Sequence, residues 1–232
     1  MRLRLDPEER RRRIIEAAVP LFAGKGFSGT TTKELAEAAG VSEGLLFRYF
    51  ATKSALYGAI LDHCRTANPE FERLHHLPPS TATLIAIVAY FVAYFADIGD
   101  SEPAEQARHR LFVRSLLEDG EFAAAGFAMF REAVLPMMER SLAAARADGD
   151  LGVAVPAETA FRLAAQLQAM IGTHALPPGG TSPRGATRGE TIAEATRFIL
   201  RGIGVKDAAI ERLYRPDDAA TERDAVELDL AS

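Results

Sequence analysis

Arg48 has the side chain best suited to reading a nucleic acid base, because a guanidinium presents two parallel donors that match the O6 and N7 acceptors of guanine. Glu43, Gly44 and Phe47 precede it at spacings that put all four on one side of a helix, opposite Leu46 and Phe50. Other segments have the letters of catalytic motifs without their surroundings. Gly24-Lys25-Gly26-Phe27-Ser28-Gly29 has the glycine spacing of a dinucleotide site, but that site needs a strand before it inside a βαβ unit. A helical pattern precedes it here, so these glycines read as a helix stop and a turn. Gly40-Val41-Ser42-Glu43-Gly44 fits the nucleophile elbow, which sits between a strand and a helix. Helices flank it on both sides, and Ser42 is better used as a helix cap. His75-His76 lacks the further ligands of a metal site and reads as a solvated loop pair. No catalytic residue, cofactor or metal is expected.

Positioning Arg48 requires two short helices and a sharp turn. Thr31 and Glu34 form a capping box, the hydroxyl taking an orphan N–H while the carboxylate reaches back. Leu35, Ala36 and Ala39 share one face of the first helix. Gly40 stands where the backbone must turn with positive φ, which a residue lacking Cβ does at least cost. Ser42 caps the second helix, whose Leu46 and Phe50 pack inward with Val41. This is the pattern of a helix-turn-helix whose second helix enters the major groove.

Arg11 to Leu61 resembles the DNA-binding domain of the TetR/AcrR family of bacterial transcriptional regulators. The resemblance rests on a first helix ending in LFAGKGF, the Thr31-Thr32 start, the AGVS turn at 39–42, LFRYF at 46–50 and TKSAL at 52–56. It implies an all-α homodimer, with a three-helix DNA-binding domain over residues 1–52 and a helical effector-binding and dimerisation domain over 53–214; the polar, acidic composition of 215–232 reads as a disordered tail. It also implies a repressor that leaves a palindromic operator when a small, largely apolar effector binds. A helix-turn-helix scaffold without an effector is the alternative, and an all-helical enzyme a remote one. Carried over by position, Glu43, Gly44, Phe47 and Arg48 face the groove, Ser42 opens their helix, and Thr32, Tyr49 and Lys53 contact phosphates. Phe47 stands where the family usually has tyrosine, so it offers only apolar contact, as to a thymine methyl. Glu43 is also unusual, since a carboxylate repels phosphates unless it accepts from a cytosine amino group or pairs with Arg48.

Charge is distributed to match. Residues 1–56 carry ten Lys and Arg against seven Asp and Glu, a net of +3 in a chain whose total is −5. Arg2, Arg4 and Arg10 to Arg13 form a basic arm and first turn, able to reach phosphates or the minor groove. The other reading of this run is a solvated face balanced by Asp6, Glu8 and Glu9. At 48% hydrophobic and 25% charged, the chain has the composition of a globular protein. No secretory signal is visible, and the longest uncharged apolar run, Leu84 to Ala96, is too short to span a bilayer, so a cytoplasmic address and no membrane partner are expected. The single cysteine, Cys64, reads as a buried thiol.

The first helix is predicted from an Asp6 cap through Pro7 to about Ala23, and a fourth from Lys53, carrying Leu56, Ile60 and Cys64, to Asn68-Pro69. Leu74 to Ser80 reads as a boundary loop. Thr81 to Asp97 is apolar on nearly every side and is therefore a buried helix. Further helices are predicted over 103–117, 121–147 with a bend near Pro136, 156–173 and 190–203, with a loop over 177–189. Leu151 to Val155 is too short to argue for a sheet. Phe91, Tyr94, Phe95, Phe112, Phe127, Met129, Phe130, Met137 and Met170 suit an apolar cavity, with Tyr90, Arg108, His109, Arg114 and His174 as scattered polar partners. Of these, Phe91, Tyr94, Phe95, Phe112, Phe127, Phe130, Met137, Met170 and His174 are the candidate effector contacts; each singly is also an ordinary core residue. By the family resemblance, Ala157 to Gly172 and Glu190 to Ile203 pair with their copies in a four-helix dimer interface.

Overall fold

The computed structural model describes residues 6–65, 69–153, 155–177 and 187–216, with the side chains of 61–65, 69 and 70 excepted. The described residues are helical throughout, apart from turns, loops and one isolated antiparallel bridge between Leu151 and Val205. They fall into two compact units, Met1–Asn68 with Ser101–Met129, and Pro69–Asp100 with Phe130–Ser232. The Cys64 side chain, Arg2, Arg4 and residues 178–186 and 217–232 lie outside what is described.

In the first unit α1 (Pro7–Gly29) opens as its sequence predicts, with the Asp6 carboxylate accepting from the Glu9 N–H at 2.9 Å and proline at the first position. It continues beyond Ala23 and kinks at Gly26, which has φ 74°. The kink lets two cations reach the freed carbonyls. Arg114 of α7 (Pro103–Leu117) donates to the Gly24 carbonyl and, at 2.7 Å, to Glu118. A Cβ on Gly26 would lie 2.2 Å from Glu118 Oε2, the end of a side chain that can move aside, so it is the positive φ that favours glycine here. Around α1 pack α2 (Thr32–Ala38), α3 (Glu43–Tyr49), α4 (Lys53–Arg65), α7 and the first residues of α8 (Glu121–Ala147). Ile14, Ala18, Phe22, Leu35, Leu46, Leu56, Ile60 and Leu111 are almost wholly buried there. The Tyr57 ring meets those of Phe22, Phe27 and Phe122, each at 4.9 Å, and burial pushes its phenol up to about 12. The helix from Lys53, read from the sequence as the start of the second domain, thus packs with the first unit.

The second unit is built around α6 (Thr81–Ala96), buried on nearly every side as its composition requires, with α9 (Ala157–Ala175) and α10 (Arg188–Gly202) against it. Two short helices were not legible. α5 (Pro69–His75) begins at the proline expected to end a helix, since proline's missing N–H costs nothing at a first helical position. It carries His75 into contact with the Phe71 ring at 4.7 Å, so that histidine is not simply solvated. α11 (Asp207–Leu213) follows the Leu151–Val205 bridge, where Gly152 donates to the Gly204 carbonyl at 2.7 Å.

Asp150 ties α11 and α6 to the loop after α8. Its carboxylate accepts from the buried Thr81 hydroxyl at 2.8 Å and from Arg212 at 2.8 and 2.9 Å, and these bonds hold its pKa below the ordinary range. A carboxyl whose folded pKa is depressed adds stability that is complete above its unfolded pKa, about 3.9, and is lost as pH falls through the folded value. Asp150→Ala is expected to cost about 1–3 kcal/mol, mainly from the Thr81 hydroxyl left buried without an acceptor. It should also flatten the dependence of the urea midpoint on pH below about 4; urea melts at pH 7 and pH 3 check both.

Candidate nucleic-acid interface

The turn between α2 and α3 is held by local bonds that its residues encode. Thr31 accepts from the Glu34 N–H at 3.2 Å, and Glu34 accepts from the Thr31 N–H at 2.9 Å, closing the capping box. A hydrogen bond from Lys25, reinforced by the Thr31 donors, draws the Glu34 carboxyl down to about 2. Gly40 has φ 64°, a left-handed turn from which Val41 donates back to the Ala36 carbonyl at 2.9 Å. The Ser42 hydroxyl then accepts from the Leu45 N–H at 3.2 Å and starts α3.

Across α3, Leu46 and Phe50 are buried while Glu43, Gly44, Phe47 and Arg48 are exposed, Phe47 at 45%. These four therefore form one outward face, as their spacing predicts. Tyr49 is half-buried against the core of the unit.

Three sites differ from what the sequence suggests. Glu43 does not engage Arg48; its Oε2 accepts from the Thr32 hydroxyl at 3.0 Å, so the two helices of the turn are joined by a side-chain pair eleven residues apart. Lys53 donates to the Phe27 carbonyl at 2.6 Å and the Thr30 carbonyl at 2.9 Å, and lies 4.2 Å from the Phe27 ring centroid. It is a cap on the end of α1, where a cation also meets the negative end of the helix dipole. Hydrogen bonds from a charged donor contribute about 1.5–3 kcal/mol; with Lys53 half-buried, Lys53→Ala should lower stability by about 1–2 kcal/mol, read from its denaturant midpoint. In the arginine run, Arg12 and Arg13 pair with Glu9, matching the solvated-face reading, whereas Arg11 lies over the Phe50 ring at 5.1 Å, beside the end of α3. Neither the Lys53 cap nor the Thr32–Glu43 pair leaves a signal in sequence, because their partners are distant along the chain.

The candidate effector contacts separate between the two units. Phe112 and Phe127 belong to the first, where their rings meet at 5.2 Å. In the second, Phe91 and Phe130 meet at 4.6 Å and line a small cavity with Val88, Met138, Phe161 and Gln168. Its volume is about 10 Å³, near the least that holds one water. Gln168, which the sequence did not single out, is its one polar side chain; it is 3% exposed and donates to the Val88 carbonyl at 3.4 Å. Tyr94 and Phe95 share α6 with Phe91, their rings 5.2 Å apart, and Met137 is buried, but none of the three lines the cavity. His174 is exposed, and Met170 is 53% exposed on the outer side of α9, one stripe with Leu163.

A capped two-helix turn that sets a basic side chain on an outward helix face, among described residues that are otherwise helical, is a helix-turn-helix motif. Residues 14–60 match the profile of the bacterial regulatory proteins of the tetR family. Over this segment the chain is similar to that family. The HTH-type transcriptional repressor Rv3405c of Mycobacterium tuberculosis is 45% identical over 53 residues, 23% of this chain. The match spans 28% of that repressor's length. NalD, the secondary repressor of the MexAB-OprM multidrug efflux pump in Pseudomonas aeruginosa, has a TM-score of 0.63 at 21% identity, over 88% of this chain and 99% of its own. AibR, solved with isovaleryl coenzyme A and operator DNA, has a TM-score of 0.59 at 19% identity, over 85% and 100%. The two structures establish likeness of fold, and these relatives are regulators rather than enzymes. Among the described residues no helix is long and apolar enough to cross a membrane.

Proposed function

We propose that this chain is a homodimeric transcriptional repressor that reads a palindromic operator through α3 and is released by a small, largely apolar effector. The observation that carries the reading is the outward face of α3, where Arg48 stands beside Phe47 with Glu43 and Gly44, while Leu46 and Phe50 fasten the helix from behind. Arg48 donates to a guanine edge, Phe47 packs on a thymine methyl, and Ser42, Tyr49 and Lys53 border the phosphates, while the Thr32 hydroxyl is taken up by Glu43. Twofold symmetry places two copies of α3 about 34 Å apart, in successive major grooves.

Dimerisation uses α9 and α10. Leu163 and Met170 on α9 and Phe198 on α10 are 52%, 53% and 69% exposed, a set of large apolar side chains that a soluble monomer gains nothing by presenting to water. The effector acts by linkage: it releases DNA only as far as it prefers one conformation, and DNA weakens effector binding by the same factor. AibR, with both a thioester and operator DNA bound, is a precedent for the two ligands in this fold.

The second reading is a DNA-binding scaffold of the same fold without an effector. Incubation of the full chain with a randomised duplex pool tests the main reading: an inverted repeat bound by two chains is the expected product. A pool that emerges unenriched overturns it. Calorimetry with apolar metabolites and drugs, with and without the enriched duplex, then separates sensor from scaffold.

A further inference from the structure

An acidic side chain on the outward face of α3 is at odds with a polyanion unless it has a purpose, and the structure narrows that purpose. Pairing with Arg48 would have made Glu43 a neutral strut. Instead its Oε2 is taken up by the Thr32 hydroxyl at 3.0 Å, while the residue stays exposed at the start of α3. A carboxylate accepts at two oxygens and donates nothing when ionised. With Oε2 fixed by Thr32, Oε1 is the acceptor left to meet a base. Gly44 beside it has no side chain, and a Cβ built there would meet nothing within 4 Å, so the approach to Glu43 is open.

We propose that Glu43 is a specificity residue that selects cytosine by accepting from its N4 amino group, with Thr32 as the residue that positions the carboxylate. The inference rests on the DNA-reading assignment of α3 made above. Cytosine offers a donor in the major groove at this edge, whereas guanine and thymine present O6 and O4 acceptors that repel a carboxylate. Adenine also offers a donor, but its adjacent N7 acceptor suits an amide better than a carboxylate. Thr32 thereby has a different role from phosphate contact. Its hydroxyl proton is committed to Glu43, and losing it frees the carboxylate to swing. Selectivity is gained against total affinity, because Glu43 also repels the phosphates on either side of the groove.

Selection from a randomised duplex pool by the full-length protein, by Glu43→Gln and by Thr32→Val tests this, together with titration of each against one duplex of unrelated sequence. The wild type should enrich a cytosine at one position in each half-site. Glu43→Gln, which keeps the size and the Thr32 bond, should lose the cytosine and shift towards adenine at that position alone, by about tenfold, the equivalent of about 1.4 kcal/mol. Its binding to the unrelated duplex should strengthen. Thr32→Val should weaken the cytosine preference by a smaller factor while leaving unrelated-duplex binding within about twofold of wild type, for its change alters no charge. If wild type enriches a motif that Glu43→Gln reproduces, or if that variant strengthens binding to every sequence equally, the inference is overturned while the DNA-reading assignment stands. If wild type enriches no motif, the assignment itself falls and this inference with it.

Discussion

Phe22→Ala should cost about 3–5 kcal/mol, the range for truncating a fully buried aromatic, which is a large part of the total stability of an ordinary domain. Phe22 is wholly buried at the middle of the first unit, its ring 4.9 Å from Tyr57 and 6.0 Å from Phe27. Phe27 is also the residue over which Lys53 sits and whose carbonyl Lys53 caps. Emptying the Phe22 site therefore removes the support of the α1 end and of the α4 start together. Urea denaturation should show the midpoint drop, and operator binding should fall in proportion to the folded fraction. Phe47→Ala is the matched control. It removes a ring of the same size from a 45% exposed position, so stability should change by no more than about 0.5 kcal/mol while base preference changes. Equal destabilisation by the two would contradict the assignment of inner and outer faces.

If the proposed dimer pairs through α9 and α10, Phe198→Asp should leave it a monomer. In a twofold interface each copy loses the same ring, each worth about 1.5–3 kcal/mol of burial, and each gains a carboxylate whose desolvation adds several kcal/mol. The dimer dissociation constant should rise by at least about a thousandfold, equivalent to about 4 kcal/mol. Since Phe198 is 69% exposed in the single chain, the fold of the monomer should persist, seen as an unchanged helical circular dichroism spectrum. Sedimentation velocity at micromolar concentration reads the mass directly. Operator affinity should fall as well, because one half-site contact no longer brings in the other. An unchanged dimer would place the interface elsewhere than α9 and α10.

What the sequence disclosed follows the range of the interactions involved. The Thr31–Glu34 capping box, the Gly40 turn, the Ser42 cap and the inward Leu46 and Phe50 all involve spacings of five residues or fewer, and each is found where residue chemistry put it. The all-round burial of α6 was legible for a related reason, since uniform hydrophobicity over sixteen residues leaves no side for water. Contacts bridging long stretches of chain were hidden. Lys53 reaches carbonyls 26 and 23 residues away, Arg114 one 90 residues away, and Thr32 a carboxylate eleven residues on. The first two hold the end of α1 in place. The short helices α5 and α11 escaped because seven residues make a weak period and depend on packing for their existence. Gln168 was passed over as one polar residue on an apolar helix, its meaning set by Val88 eighty residues earlier.

Arg48→Ala tests the central claim, that α3 reads bases, most directly. Wild type and variant are titrated by gel shift against the enriched duplex and an unrelated one at several salt concentrations. Affinity for the enriched duplex should fall by about 1–3 kcal/mol, or roughly five- to 150-fold, with preference lost at one guanine per half-site. Binding to the unrelated duplex should change far less. A variant that keeps the wild-type preference at every position would contradict the account.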